Sequence, residues 1–337
     1  MWQAVCQAWV LIPMLAWLPG VSSRLSFPWW WGISSLAVIA VGLCQPQRKL
    51  IRVTGWWLLG CLAIFWFHQR EFGMASKWLM GMISYVTAAH LIAERGRWSW
   101  IRTALLIAAV AQIPIVLMQV AQVPLPYVME RIHPCGSLGN RTELSILWGV
   151  ASLLTTGPVA WSWALLSLST GSATGSVPAC MVLLIPFFRR WGLLCGSTVA
   201  LAGMGTWAWL SIRLLSRLTI WKSILTWKIP IWLGYGFMGF PGGFTYDDPV
   251  SQLILIRDTH SVWLDWIVRT GVLGMVVGAG WLLWTIQRTR RVGLWPWFIF
   301  FAWIGTWQSL EGRPLIGLVG LVWMIALLQE RTDAVGT

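Results

Sequence analysis

A chain of 337 residues that is 57% hydrophobic and 10% charged, with mean hydropathy +0.69, falls outside the soluble globular class, where roughly 25% charged residues is usual. The net charge of +13 raises a nucleic-acid reading. However, the basic residues come in short clusters between apolar runs, which is the positive-inside pattern of a membrane protein, and no nucleic-acid partner is expected. The six cysteines are scattered with no CxxC pair, so neither a metal site nor a disulfide framework is read from them, and no cofactor is expected.

The apolar runs are unbroken rather than alternating, which favours helices over a barrel. About twelve stretches approach the ~20 residues that cross a bilayer, several of them short. In chain order the expected helices are Gln3 to Trp17, Trp29 to Cys44, Ile51 to Phe67, Lys77 to Leu91 and Arg102 to Gln119. Three shorter runs follow, Glu143 to Thr156, Val159 to Leu168 and Val177 to Phe188, and then Leu193 to Ser211. The last three are His260 to Thr285, Val292 to Trp307 and Pro314 to Leu328. The expected fold is an all-α polytopic membrane protein with one long outer loop carrying short helices.

The first run lacks a basic n-region and a small-residue cleavage site, and is expected to be a retained helix. If every basic cluster lies in the cytoplasm, residues 45–52, 94–102, 189–190, 287–291 and the C-terminal tail are inside. The loops around His68, His133, Thr170, His260 and Glu311 are then outside, and both termini are cytoplasmic. No internal repeat of the kind found in many transporters is visible.

Chemistry concentrates in and around the 212–259 loop, since a loop this long is usually functional or disordered. Arg213, Arg217 and Trp221 recur every four residues, so on a helix they share one face. Two guanidiniums on a stripe suit a pyrophosphate, and the Trp221 ring can stack on Arg217; snorkelling of the arginines at a helix end is the structural alternative. The run from Ile220 to Ile229 is amphipathic and is expected at the outer interface. A Gly-rich segment through Gly234, Gly236 and Gly239 follows, and Asp247-Asp248 reads as a solvated turn rather than a metal site. At the loop's end Arg257, Asp258 and His260 stand immediately before a long apolar run. The ordinary pKa of His, ~6.5, makes His260 the natural general base near neutrality. By contrast His90 lies in an apolar run and is expected to be packed and hydrogen-bonded.

These residues carry a resemblance. His260-Ser261-Val262-Trp263-Leu264, with Gly271 and Gly274 beyond, follows Arg217/Trp221 and the Gly-rich turn. Gly136-Ser137-Leu138-Gly139-Asn140 and Thr170-Gly171-Ser172 come earlier. Together they resemble the O-antigen ligase and O-antigen polymerase family over about residues 135–280. The chain departs from that pattern at Ser261 (usually Asn), Ala173 (usually Arg) and Arg269 (commonly a carboxylate).

The resemblance implies a metal-independent glycan transfer on the periplasmic side of the bacterial inner membrane. Its donor would be a glycan on undecaprenyl pyrophosphate, and its acceptor lipid A–core, a growing glycan or a protein hydroxyl. His260 and Arg217 would be catalytic, with Arg213, Arg257, Trp221, Gly236 and Asn140 binding substrate. The chain would divide into N-terminal helices 1–134, a family-like core 135–286 and C-terminal helices with a short tail 287–337. A transporter or lipid flippase without covalent chemistry is the competing reading.

Overall fold

The computed structural model describes residues 1–16, 23–44, 74–123, 125, 135–191, 221, 232, 244–248, 252–256, 261–292, 294–307 and 314–333. Among them the fold is helical, with ten α-helices and one β-hairpin. The first four helices are α1 (Trp2–Leu15), α2 (Ser23–Leu43), α3 (Met74–Arg95) and α4 (Trp98–Val120). A 3-10 turn at Gly136–Leu138 precedes α5 (Arg141–Leu154), α6 (Gly157–Ser169) and α7 (Ala173–Trp191). After the hairpin come α8 (Val262–Val292), α9 (Trp295–Trp307) and α10 (Pro314–Asp333). The expected spans Ile51 to Phe67 and Leu193 to Ser211 lie outside the described residues.

Two helical stretches, Trp98–Val120 and Thr270–Thr289, are long and apolar enough to cross a membrane. Both leave large apolar side chains exposed, among them Val110, Leu117 and Met118 on α4 and Leu273, Val276 and Leu283 on α8. Apolar surface of this kind suits contact with lipid rather than water. Other helices are shorter; α6 and α9 have 13 residues each, or about 20 Å at 1.5 Å per residue. A bilayer core is about 30 Å thick, so these helices are among the short ones of the expected set of about twelve, part of which lies outside the described residues.

α5 is the centre of the bundle. Nearly all of it from Glu143 to Leu154 is buried, and α4, α6, α7, α9 and α10 pack around it. Its sequence allows this because Ser145, Gly149 and Ser152 keep neighbouring backbones close, the usual device of helix packing in membranes. A Cβ on Gly149 would stand 2.7 Å from the Phe300 ring and 2.8 Å from the Gly175 carbonyl. A Cβ on Gly175 would in turn run into the Ser145 carbonyl. The indole of Trp148 donates to the Ala109 carbonyl at 3.1 Å and ties α5 to α4.

The helices share two ends. At one, the Arg95 guanidinium lies 5.5 Å from the centre of the Trp2 ring. There too Arg102 donates to the last carbonyl of α5, Leu154, at 2.6 Å, and Arg288 donates to the Leu327 carbonyl at 3.2 Å. Gln329 caps α3 through the carbonyls of Ile92, Ala93 and Gly96 at 2.9–3.2 Å. Cations and amides here meet the carbonyls that helix C-termini leave unsatisfied. At the opposite end lie the C-terminus of α1, the 3-10 turn, the start of α5 and the α6–α7 turn.

Three sequence expectations change. The long loop contains an antiparallel hairpin of β1 (Phe244–Asp248) and β2 (Gln252–Ile256), with Tyr246 opposite Ile254 and Asp248 opposite Gln252. Asp247 and Asp248 are therefore strand residues rather than a turn, because the Phe-Thr-Tyr and Leu-Ile-Leu-Ile runs favour extended backbone. His90 is bonded as expected, to Glu94 at 3.1 Å, yet its side chain is exposed rather than packed. Finally, α8 is interrupted at Gly271, where φ is 61° and ψ −155°.

Candidate functional site

The end of the bundle opposite the basic side chains brings together two segments that the sequence keeps apart. One is Gly136–Asn140, the other Thr170–Ser172, and both meet the first turn of α5. The first is held from α4 by two glutamines seven residues apart, hence on one face of the helix. Gln112, fully buried, accepts from the Ser137 amide at 2.7 Å and donates to the Ser137 hydroxyl at 2.8 Å. Ser137 passes the contact on, donating to the Met14 carbonyl at the end of α1 at 2.6 Å. Gln119 accepts from the amides of Cys135 and Gly136 at 2.9 and 3.0 Å and donates to the Gly136 carbonyl at 3.0 Å.

Gly139 ends the 3-10 turn in the left-handed region, at φ 70°, a conformation glycine takes without steric cost. The chain then extends through Asn140, whose side-chain oxygen accepts from the Thr142 amide at 2.8 Å and caps α5. That capping bond satisfies one of the amides a helix start leaves free.

The second segment is fastened by hydroxyls. Ser145 and Ser167 share a hydrogen bond at 2.9 Å, and Ser167 donates to the Ser145 carbonyl at 2.8 Å. The Ser145 hydroxyl also lies 2.9 Å from the Ser172 carbonyl and accepts from the Gly175 amide at 3.2 Å. Thr170 donates to the Ser167 carbonyl at 2.8 Å, and the Ser172 hydroxyl reaches Thr142 at 3.3 Å. Gly171 is exposed at the tip, at φ 67°. Nη1 of Arg141 stands 3.6 Å from where a Cβ on Gly171 would be. α5 thus brings the guanidinium of Arg141 to this turn.

Of the residues singled out from sequence, Asn140 is a partly exposed helix cap in this cluster, and Trp221 is helical and half-buried. His260, Arg213, Arg217, Arg257 and Gly236 lie outside the described residues. Ser261, immediately after His260, is buried; its hydroxyl points at the Gly305 carbonyl on α9, 3.5 Å away. Asp265, one turn later, is also buried. Both glycines of the pattern beyond His260 have physical work. Gly271 supplies the break in α8, and the Gly274 carbonyl accepts from the Trp266 indole at 2.8 Å. A side chain on Gly274 would collide with the Thr270 hydroxyl.

Among the described residues no group of three or more His, Cys, Asp or Glu stands together as a metal site. The glutamine pair, the serine cluster and Trp266 were not among the residues singled out from sequence. Gln112 and Gln119 do carry a signal: amides inside an apolar run are costly in lipid and are kept for a partner. The serines read only as small residues, and Trp266 is one of 30 tryptophans.

Comparison with known protein families, with curated proteins and with solved structures finds no match to this chain.

Proposed function

We propose that this chain is a membrane glycan transferase of the O-antigen ligase or polymerase type, working at the periplasmic face of the bacterial inner membrane. The supporting observation is the convergence of Gly136–Asn140 and Thr170–Ser172 at one end of the bundle, the end opposite Arg95, Arg102 and Arg288. With the basic end in the cytoplasm, both termini are cytoplasmic and the convergent segments face the periplasm, as does the entry to α8 beside His260.

In the reaction, an acceptor hydroxyl oxygen attacks the anomeric carbon of a glycan carried on undecaprenyl pyrophosphate. His260 takes the hydroxyl proton as the new glycosidic bond forms. The bond from the anomeric carbon to the pyrophosphate oxygen breaks, and its electron pair leaves with the lipid pyrophosphate. Arg217 stabilises the charge building on that leaving group, with Arg213 and Arg257 binding the phosphates; such preorganised charge is often the largest catalytic contribution. Trp221 and Gly236 belong to the donor side, and Asn140 and Arg141 to the rim formed by the first turn of α5. No metal ion enters this chemistry. The acceptor is lipid A–core, a growing glycan or a protein hydroxyl.

The test is transfer itself. Protein in lipid, given a polyprenyl-pyrophosphate-linked oligosaccharide and lipid A–core in the presence of a chelator, is expected to extend the acceptor, and Arg217→Ala to lose that activity. One observation favours a transporter or flippase instead. α8 is an interrupted helix with a buried carboxylate, Asp265, six residues before the break at Gly271, and carriers bind cargo at broken helices. Release of the unmodified lipid-linked donor across vesicles, with no covalent product, would decide for that reading.

A further inference from the structure

The two arms of α8, residues 262–270 and 272–292, do not form one straight helix. The Trp266 indole nitrogen bonds the Gly274 carbonyl at 2.8 Å, and it would lie 2.9 Å from a Cβ placed on Gly278. On a continuous helix, residues 266 and 278 would be about 18 Å apart along the axis. The chain therefore folds back at Gly271, and the Trp266 ring lies in the groove left open by Gly274 and Gly278. Non-helical backbone at membrane depth persists only where protein or water meets its polar groups. Here the Trp266 indole meets the Gly274 carbonyl, and the Leu273 amide donates to the Trp232 carbonyl of the 212–259 loop at 3.3 Å.

The short arm is seated at its other end as well. The Trp263 indole nitrogen donates to the Ala302 carbonyl on α9 at 3.4 Å, and its ring would stand 3.2 Å from a Cβ on Gly305. Each of the two tryptophans thus lies over a glycine, Trp263 on α9 and Trp266 on the longer arm. Simple spanning does not require this double seat, and the chain enters the short arm directly from His260.

We propose that residues 262–270 form a re-entrant arm, with Trp266 as the positioning residue that seats it against the longer arm. This rests on His260 being the base of the proposed transfer. Trp266 touches neither substrate nor reacting atoms; it acts by holding the arm against Gly274 and Gly278. Loss of the seat frees the arm that follows His260 in the chain, which lowers the rate of the chemical step and leaves donor binding intact.

Two measurements test this together. First, the Tm values of Trp266→Ala, Gly278→Val and the double variant are compared. The fold-back puts the two sites in contact and predicts that the double variant loses less than the sum of the singles, whereas a straight helix keeps them about 18 Å apart and predicts additive losses; additivity overturns the proposal. Second, transfer kinetics are compared for Trp266→Ala, Trp266→Phe and His260→Ala. Misplacing a catalytic group by about 1 Å costs about 100-fold, so Trp266→Ala is expected to lose about 100-fold in kcat with donor KM within about twofold. Trp266→Phe keeps the ring and loses one hydrogen bond, for a fall of about fivefold. A Trp266→Ala protein that inserts normally and keeps its kcat overturns the positioning role. If His260→Ala transfers normally while Trp266 and Gly278 couple in stability, the assignment of the base falls and takes the positioning role with it, whereas the fold-back itself stands.

Discussion

Replacing Gln112 by Leu removes the acceptor for the buried Ser137 amide and a donor to the Ser137 hydroxyl, bonds of 2.7 and 2.8 Å. The hydroxyl keeps its other bond, to the Met14 carbonyl at 2.6 Å, so the amide is the group left stranded. A buried amide that loses its partner costs about 1–3 kcal/mol. Hydrogen bonds between membrane helices, measured as pairs, are worth less, on average about 0.6 kcal/mol. Leucine also adds apolar contact, so a net loss of about 0.5–2 kcal/mol is expected. That corresponds to a fall of about 1–6 °C in Tm, read from intrinsic fluorescence of the purified protein in detergent. Gln3→Leu is the control, because Gln3 is exposed on α1 and surface changes usually stay within about 0.5 kcal/mol. Gln119→Leu strands the Cys135 and Gly136 amides of the same segment, so the double variant should lose a total different from the sum of the singles. A Gln112→Leu protein as stable as the parent would refute the idea that the glutamine pair clamps the turn before α5.

Other consequences follow from the same contacts. Gly175→Ala drives a methyl into the Ser145 carbonyl and should destabilise by about 1–3 kcal/mol; Gly280→Ala, with nothing within 4 Å, should leave Tm unchanged or slightly raised. Asn140→Ala removes the cap of α5 and should cost about 1 kcal/mol, with most of it restored by Asn140→Asp; chemical denaturation of the two variants measures the difference. Gln329→Leu uncaps α3 at Ile92, Ala93 and Gly96, and should speed amide exchange at that end of α3 while leaving the start of α5 protected.

Among the described residues, helices were legible in the sequence where an apolar run was unbroken. α4, read as Arg102 to Gln119, is Trp98–Val120, and α10, read as Pro314 to Leu328, continues to Asp333. Helix ends extend past the apolar run because polar residues such as Gln329 bond neighbouring helices from inside the last turns. The fold-back at Gly271 was not legible, since a glycine in an apolar stretch is common in membrane helices and its φ is set by what Trp266 and Trp232 contact. The hairpin was hidden by its setting, a Gly-rich stretch before it and an Asp-Asp-Pro run inside it, both of which read as loop. For the candidate site, Asn140 and the two short motifs were readable singly. Their convergence on α5 was not, because it depends on glutamines from another helix and on serines whose partners lie far along the chain.

The central claim is covalent transfer of a glycan with His260 as the base. It is tested most directly by reconstituting the protein and its His260→Ala variant in lipid with a radiolabelled polyprenyl-pyrophosphate oligosaccharide, a chelator, and lipid A–core as acceptor. General-base catalysis contributes about 10²–10⁴-fold. The account predicts label on the acceptor from the parent protein and a loss of about that size in the variant. Equal transfer by the two proteins, or label that crosses the membrane without ever joining an acceptor, would contradict it.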